Sequence, residues 1–175
     1  EMIMGLEKVK CGKIFFKQEE ITGMSVKERC KRGIGYIPSD RYKRAILPGF
    51  SLKDNYLLGN QYKDSYARKG MLNQEYIEKK TKELMEKFDV RAVNGDQLIG
   101  ALSGGNQQKL VLSREVDKDP DLILACQPVR GLDIGAIKFI HNVLLELRNQ
   151  GKAVLLISAE LSDLFQLSDR IGVLY

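Results

Sequence analysis

LSGGNQQK, Leu102 to Lys109, is the stretch on which the fold reading turns. Ser103 stands where a helix N-cap belongs, since its side-chain oxygen can take a backbone N–H that the first turn leaves without an acceptor. A helix is predicted to run on from Asn106 to about Val116. Gly104 and Gly105 carry no side chains, so nothing keeps a ligand away from the free N–H groups or the positive end of the helix dipole. Such a start suits an anion, and a phosphate in particular. Ser-Gly-Gly by itself is also a common turn, so the residues on either side decide between the two.

Downstream the pattern is regular. LILAC (122–126) is an apolar run behind Asp119-Pro120, and AVLLIS (153–158) is another. Between them, residues 134–149 place Ile137, Ile140, Val143, Leu144 and Leu147 on one helical face. A short helix over 161–167 and a last apolar run over 171–175 follow. Apolar strands alternating with amphipathic helices predict an α/β fold, a mostly parallel sheet with helices on both faces. Upstream, KIFF (13–16) and IGYIP (34–38) read as strands, separated by a helix that Ser25 caps and Gly33 ends. Helices are predicted over 51–58 and over 73–88, where Ile77, Thr81, Leu84 and Phe88 share a face. A polar, tyrosine-bearing loop joins them.

The 175 residues suffice for one domain with a single core. No run of about 18 apolar residues occurs, which excludes a membrane-spanning helix, and the first residues lack the pattern of a secretory signal. Cys11, Cys30 and Cys126 are odd in number and widely spaced, which fits neither a disulfide framework nor a zinc site and sets a reduced, cytosolic expectation. Residues 25–44 hold seven basic and two acidic side chains, an excess equal to the whole net charge of +5. Such a patch could meet nucleic acid, acidic lipid or phosphate, or be a solvated face; it is assigned to the loop region around Ser39 rather than to nucleic acid.

With these neighbours in place, LSGG followed by a helix resembles the signature of the ATP-binding domain of ABC transporters. The order of parts agrees: the strand at 122–126, Gln127-Pro128, then Gly131-Leu132-Asp133, which is similar to the family's D-loop, and the strand at 153–158 at the switch position. IGYIPSDR (34–41) occupies the Q-loop region, and FSLKDNYLLG (50–59) leads into a helical part. RGLDIGAIKFIH (130–141) and IPSDR are similar to the C-terminal ATP-binding domain of two-domain subunits that serve nucleoside and simple-sugar importers. The resemblance implies a P-loop NTPase-like sheet, an antiparallel β part near the N-terminus and a small helical subdomain. Its segments are residues 1–48 (β part and Q-loop region), 49–118 (helical subdomain with the signature) and 119–175 (Walker B, D-loop and switch strands).

The chain also departs from the family's pattern. No G-x-x-x-x-G-K-[ST] occurs, so the chain is expected to begin after its P-loop, and to stop short at its other end. Cys126 aligns with the Mg²⁺-holding aspartate, yet a thiol is a poor ligand for that hard ion. Gln127 aligns with the water-polarising glutamate and cannot accept a proton at neutral pH. Ala159 replaces the switch histidine, and Ser39 stands at the Q-loop glutamine. The resemblance therefore implies an ATPase family but an inactive half-site in this chain. Leu102, Ser103, Gly104, Gly105, Asn106 and Asp133 remain, and would serve ATP and Mg²⁺ held mainly by a second ATP-binding domain.

That domain would be the N-terminal half of the same subunit. The other implied partners are a membrane permease and, indirectly, an extracytoplasmic solute-binding protein, with the chain peripheral at the cytoplasmic face and no nucleic acid bound. Two rival readings are a degenerate regulatory ATP-binding module and a soluble ABC protein acting on ribosomes or nucleic acid. His141 is expected on a surface helix, and Cys126 as a buried, inert thiol. Tyr56, Tyr62 and Tyr66 are expected on a packed surface facing a permease rather than stacking bases.

Overall fold

The computed structural model describes residues 1–173. It starts with a 3-10 turn, Met2–Met4, and a hairpin of β1 (Phe15–Phe16) and β2 (Glu19–Glu20), whose turn residues Lys17 and Gln18 both take positive φ. α1 (Val26–Lys31) opens with a capping box in which Ser25 and Glu28 each satisfy the other's backbone N–H. β3 (Ile34–Ile37), the one-turn α2 (Arg41–Arg44), α3 (Leu52–Leu57) and a second hairpin, β4 (Ala67–Arg68) with β5 (Met71–Leu72), follow. Next come α4 (Gln74–Lys87), a 3-10 turn at Ile99–Ala101 and α5 (Gly104–Val116). β6 (Leu122–Cys126), α6 (Ile134–Asn149), β7 (Ala153–Ile157) and α7 (Leu161–Leu167) complete the order.

The three main strands form a parallel sheet in the order β3-β6-β7. Ile37 faces Ala125 across one pairing, and Leu124 faces Leu155 across the other. Successive side chains of central β6 enter opposite faces. Ile123 and Ala125 join the larger core with residues of α3 to α6, while Leu124 meets Met4, Ile21 and Ile34 in a smaller one. The fold is thus α/β as expected, with antiparallel strand pairs beside the parallel sheet.

α5 ties the layers together. Leu110, Val111 and Leu112 are fully buried between the sheet and the α3–α4 pair, where Leu52, Tyr56, Leu84 and Phe88 close the same core. Truncating a leucine in such a site costs about 2–5 kcal/mol. Polar links add direction: Arg114 Nη1 donates to the Asn55 carbonyl at 2.8 Å, and buried Glu115 accepts from Arg114 and Lys118. On the opposite face of the sheet, buried Arg29 donates to the carbonyls of Met2, Ile3, Thr22 and Met24, fastening the Met2–Met4 turn to α1.

Three expectations are corrected. The loop over residues 59–72 contains the β4–β5 hairpin, turned by Lys69 and Gly70 at positive φ. Residues 171–173 form no strand, and the rest of the apolar run expected there, Leu174 and Tyr175, lies outside the described residues. β7 therefore has no partner on its outer edge among the described residues, and Leu155 and Ile157 are 40% and 49% exposed. The tyrosines divide: Tyr56 and Tyr66 are buried, and only Tyr62 lies outside, under the Lys27 ammonium at 3.8 Å from its ring centre.

Candidate functional site

Three side chains of the LSGGNQQK segment, those of Asn106, Gln107 and Lys109, bond outward from it. Ser103 caps α5, its Oγ accepting from the Asn106 N–H at 3.4 Å and from Asn106 Nδ2 at 3.1 Å. Asn106 Oδ1 in turn accepts from the Arg91 N–H at 2.9 Å. Gln107 is buried; its Nε2 donates to the carbonyls of Ile99 and Leu102, and its Oε1 accepts from Arg41 Nε at 3.0 Å. Lys109, also buried, reaches Asp89 at the end of α4. Leu102 packs its side chain on the main core. The helix start is therefore held from four directions while its first N–H groups keep no acceptor within the helix.

Asp133 arrives at the same place. It caps α6, accepting from the Ala136 N–H at 2.9 Å, and this hydrogen bond holds its carboxyl below the usual carboxylate range. A side chain on Gly105 would put its Cβ 3.0 Å from Asp133 Oδ2 and 2.9 Å from Ala136 Cβ; one on Gly104 would stand 2.8 Å from Arg41 Nη2. The two helix starts thus meet at contact distance, and only glycine fits between them. Open N–H donors, a serine hydroxyl and a guanidinium around a cradle that a Cβ would fill are what a phosphate accepts.

The match to known families decides what kind of domain this is: the ABC transporter family profile covers residues 1–130. The chain belongs to the ABC transporter family. The guanosine import ATP-binding protein NupO of Bacillus subtilis (strain 168) is 43% identical over 175 residues, 100% of this chain and 34% of its own length. The nucleoside import ATP-binding protein NupA of Lactococcus lactis subsp. cremoris (strain MG1363) is 40% identical over 173 residues, 99% of this chain and 34% of its own length. The chain spans about a third of the length of these curated relatives.

Among solved structures, a dimeric ATP-binding cassette in a post-hydrolysis state with ADP and Pi has a TM-score of 0.74 at 23% identity, over 93% of this chain and 68% of its own. A nucleotide-free cassette from an ABC transporter has the same TM-score at 22% identity, over 96% and 67%. Both show the fold.

Cys126, Gln127, Ser39 and Ala159, the other residues singled out in the sequence, lie at the C-terminal end of the sheet. Cys126 ends β6, half-buried, and burial raises its thiol pKa, which keeps it protonated and unreactive. Gln127 takes φ 50°; its N–H donates to the Ile157 carbonyl at 2.7 Å and its Oε1 accepts from the Ala159 N–H at 3.3 Å. Ser39 is exposed two residues beyond the end of β3. The strand end offers a thiol and an amide already in use, neither of them the hard anionic oxygen that Mg²⁺ prefers.

A cleft of about 840 Å³ opens beside this group, lined in part by Gln127, Arg130, His141, Ala159 and Asp163. His141 corrects an expectation, because it is buried rather than on the surface. Its Nε2 lies 3.3 Å from Asp163 Oδ1 but off the line a hydrogen bond needs, so that nitrogen has no partner. Asp163 is also buried and accepts from Ser158 Oγ at 2.9 Å, joining α7 to the end of β7. Sequence reasoning missed the Arg41–Gln107 hydrogen bond and the His141–Asp163 contact. Each depends on elements distant in the chain, and no spacing rule announces them.

Proposed function

We propose that this chain is the ATP-binding domain of an importer of nucleosides or simple sugars, and that it presents its α5 start to ATP held by a second ATP-binding domain. One contrast carries the reading. The α5 start is open and braced, with Ser103, Gly104, Gly105 and Asp133 together, while the sheet end carries Cys126, Gln127, Ala159 and Ser39 where nucleotide chemistry needs a carboxylate, a base and polar contacts. A domain of that kind contributes across an interface and not to a site of its own. Bound ATP would supply a terminal phosphate on which negative charge builds. Ser103, Gly104 and Gly105 would donate hydrogen bonds to that charge, with Leu102 and Asn106 holding the turn and Asp133 setting the spacing to α6.

The import role is supported by the two relatives, which are guanosine and nucleoside import ATP-binding proteins. The partners proposed are a second ATP-binding domain in the same subunit, a membrane permease and, through it, a solute-binding protein. No helix among the described residues is long and apolar enough to cross a membrane, which is compatible with a peripheral seat at the cytoplasmic face.

Steady-state ATPase of the permease-assembled complex tests the reading. Ser103→Arg should lower turnover roughly a hundredfold while nucleotide binding by the other domain persists; Cys126→Ala and Gln127→Ala should change turnover little. A cysteine placed at Ser103 should cross-link to the second domain when nucleotide is trapped. Equal damage from Gln127→Ala and Ser103→Arg would make the sheet end catalytic and overturn the division of labour.

A further inference from the structure

We infer that Arg41 is a further phosphate contact of this site and that Gln107 is the positioning residue that aims it; the inference rests on the reading that the α5 start faces a nucleotide. Arg41 opens α2 and lies 66 residues before Gln107 in the chain. Gln107 is 1% exposed, and its Nε2 is committed to the carbonyls of Ile99 and Leu102 at 3.2 and 3.1 Å, which fixes the direction of its Oε1. That oxygen takes Arg41 Nε at 3.0 Å, the guanidinium carbon lies 5.3 Å from the Tyr42 ring centre, and neither Nη group has a hydrogen-bond partner among the described residues. Nη2 then lies over Gly104, at the first residue of α5.

No acid neutralises the charge of Arg41 among the described residues, whereas Arg32, Arg44 and Arg114 each close an ion pair and Arg29 spends its guanidinium on four carbonyls. The site needs such a cation. Asp133 Oδ2 stands at contact distance from the Gly105 side of the cradle and repels an incoming phosphate, and Arg41 on the Gly104 side offsets it. A planar guanidinium with two spare Nη groups matches a pair of phosphate oxygens, which an ammonium cannot do. The ligand class is the terminal phosphate of a polyphosphate chain.

The test is a titration of the ¹⁵N-labelled 175-residue chain with sodium tripolyphosphate, followed at the Gly104 and Gly105 amides and at Arg41 Nε–H. All three signals should shift and saturate in the unsubstituted chain. Arg41→Ala should weaken binding about tenfold or more, with the signals of α4 and β6 unmoved, and Arg41→Lys should recover part of the loss. Gln107→Leu keeps the charge but frees its direction, and should weaken binding by a smaller factor while broadening the Arg41 Nε–H signal. Equal affinity in the unsubstituted chain and Arg41→Ala overturns the inference, as does a wild-type titration that leaves Gly104 and Arg41 unmoved. The two readings fail separately. Arg41-dependent binding without the Ser103 cross-link places the fault in the partner reading, and a cross-link with Arg41-independent binding places it in the role of Arg41.

Discussion

Lys109 Nζ sits between two oxygens of one residue, 2.7 Å from Asp89 Oδ2 and 3.0 Å from the Asp89 carbonyl. Asp89 follows α4 in a left-handed conformation, φ 48°, so the lysine of LSGGNQQK holds the end of one helix against the next. The same ammonium lies over the Phe139 ring, 4.7 Å from its centre. Lys109→Met should therefore cost about 1–3 kcal/mol in urea denaturation. The Lys109 hydrogen bond also holds the Asp89 carboxyl below the usual range. A depressed folded-state value stabilises the fold above the unfolded value and is lost as pH falls through the folded one. The stability gap between the unsubstituted chain and Asp89→Asn should thus be present at neutral pH and close below about pH 4.

Gly104 and Gly105 should respond differently to alanine. The Gly105 methyl would press on Ala136 and Asp133, which are fixed in a helix start, so Gly105→Ala should lose about 1–3 kcal/mol. The Gly104 methyl presses on the end of the Arg41 side chain and meets Leu132 Cδ2 at an ordinary 3.7 Å, so Gly104→Ala should fold nearly as well while displacing Arg41 from the site. Denaturation curves for the two variants side by side check this, and equal losses would contradict it.

Tyr66 is buried with its ring edge-on to Tyr76 and its hydroxyl without a partner, and burial pushes its pKa up to about 12. Folding favours the neutral phenol, so this contribution is complete below about pH 10 and fades as pH rises toward 12. Tyr66→Phe should be neutral or stabilising by up to about 1 kcal/mol at pH 7 and should resist alkaline unfolding better. Thermal melts at neutral and alkaline pH, with ultraviolet detection of tyrosinate, read the effect directly.

β7 leaves an unpaired edge among the described residues with Leu155 and Ile157 exposed, the arrangement that invites strand pairing between copies. The isolated chain should self-associate as concentration rises, and Leu155→Lys should shift it toward monomer. Sedimentation velocity across a concentration series decides; a chain that stays monomeric throughout would count against this.

The strands β3, β6 and β7 and the helices α1, α3, α4, α5 and α6 are legible from the chain alone, within a residue or two, except for the two glycines that open α5. Their signals are local: apolar runs bounded by Pro or Gly, a 3.6-residue period, and Ser25, Ser51, Ser103 and Asp133 at N-caps. α2 and the β4–β5 hairpin were not legible. A four-residue helix carries no periodicity, and the hairpin's strands are two residues each.

The serine and two glycines at 103–105, and a thiol and an amide rather than carboxylates at Cys126 and Gln127, are matters of side-chain identity and were determined by the sequence by itself. What surrounds them was not. That Asp133 comes to the Gly105 side, that Arg41 lies over Gly104 on the arm of Gln107, and that His141 turns inward toward Asp163 are all consequences of packing. Each joins groups 22 to 66 positions apart in the chain. Such contacts depend on where the β3-β6-β7 sheet and the α5–α6 pair place their ends, and that placement is decided by burial of the shared core. A local pattern can say which side chains are available; only the buried core says which of them meet.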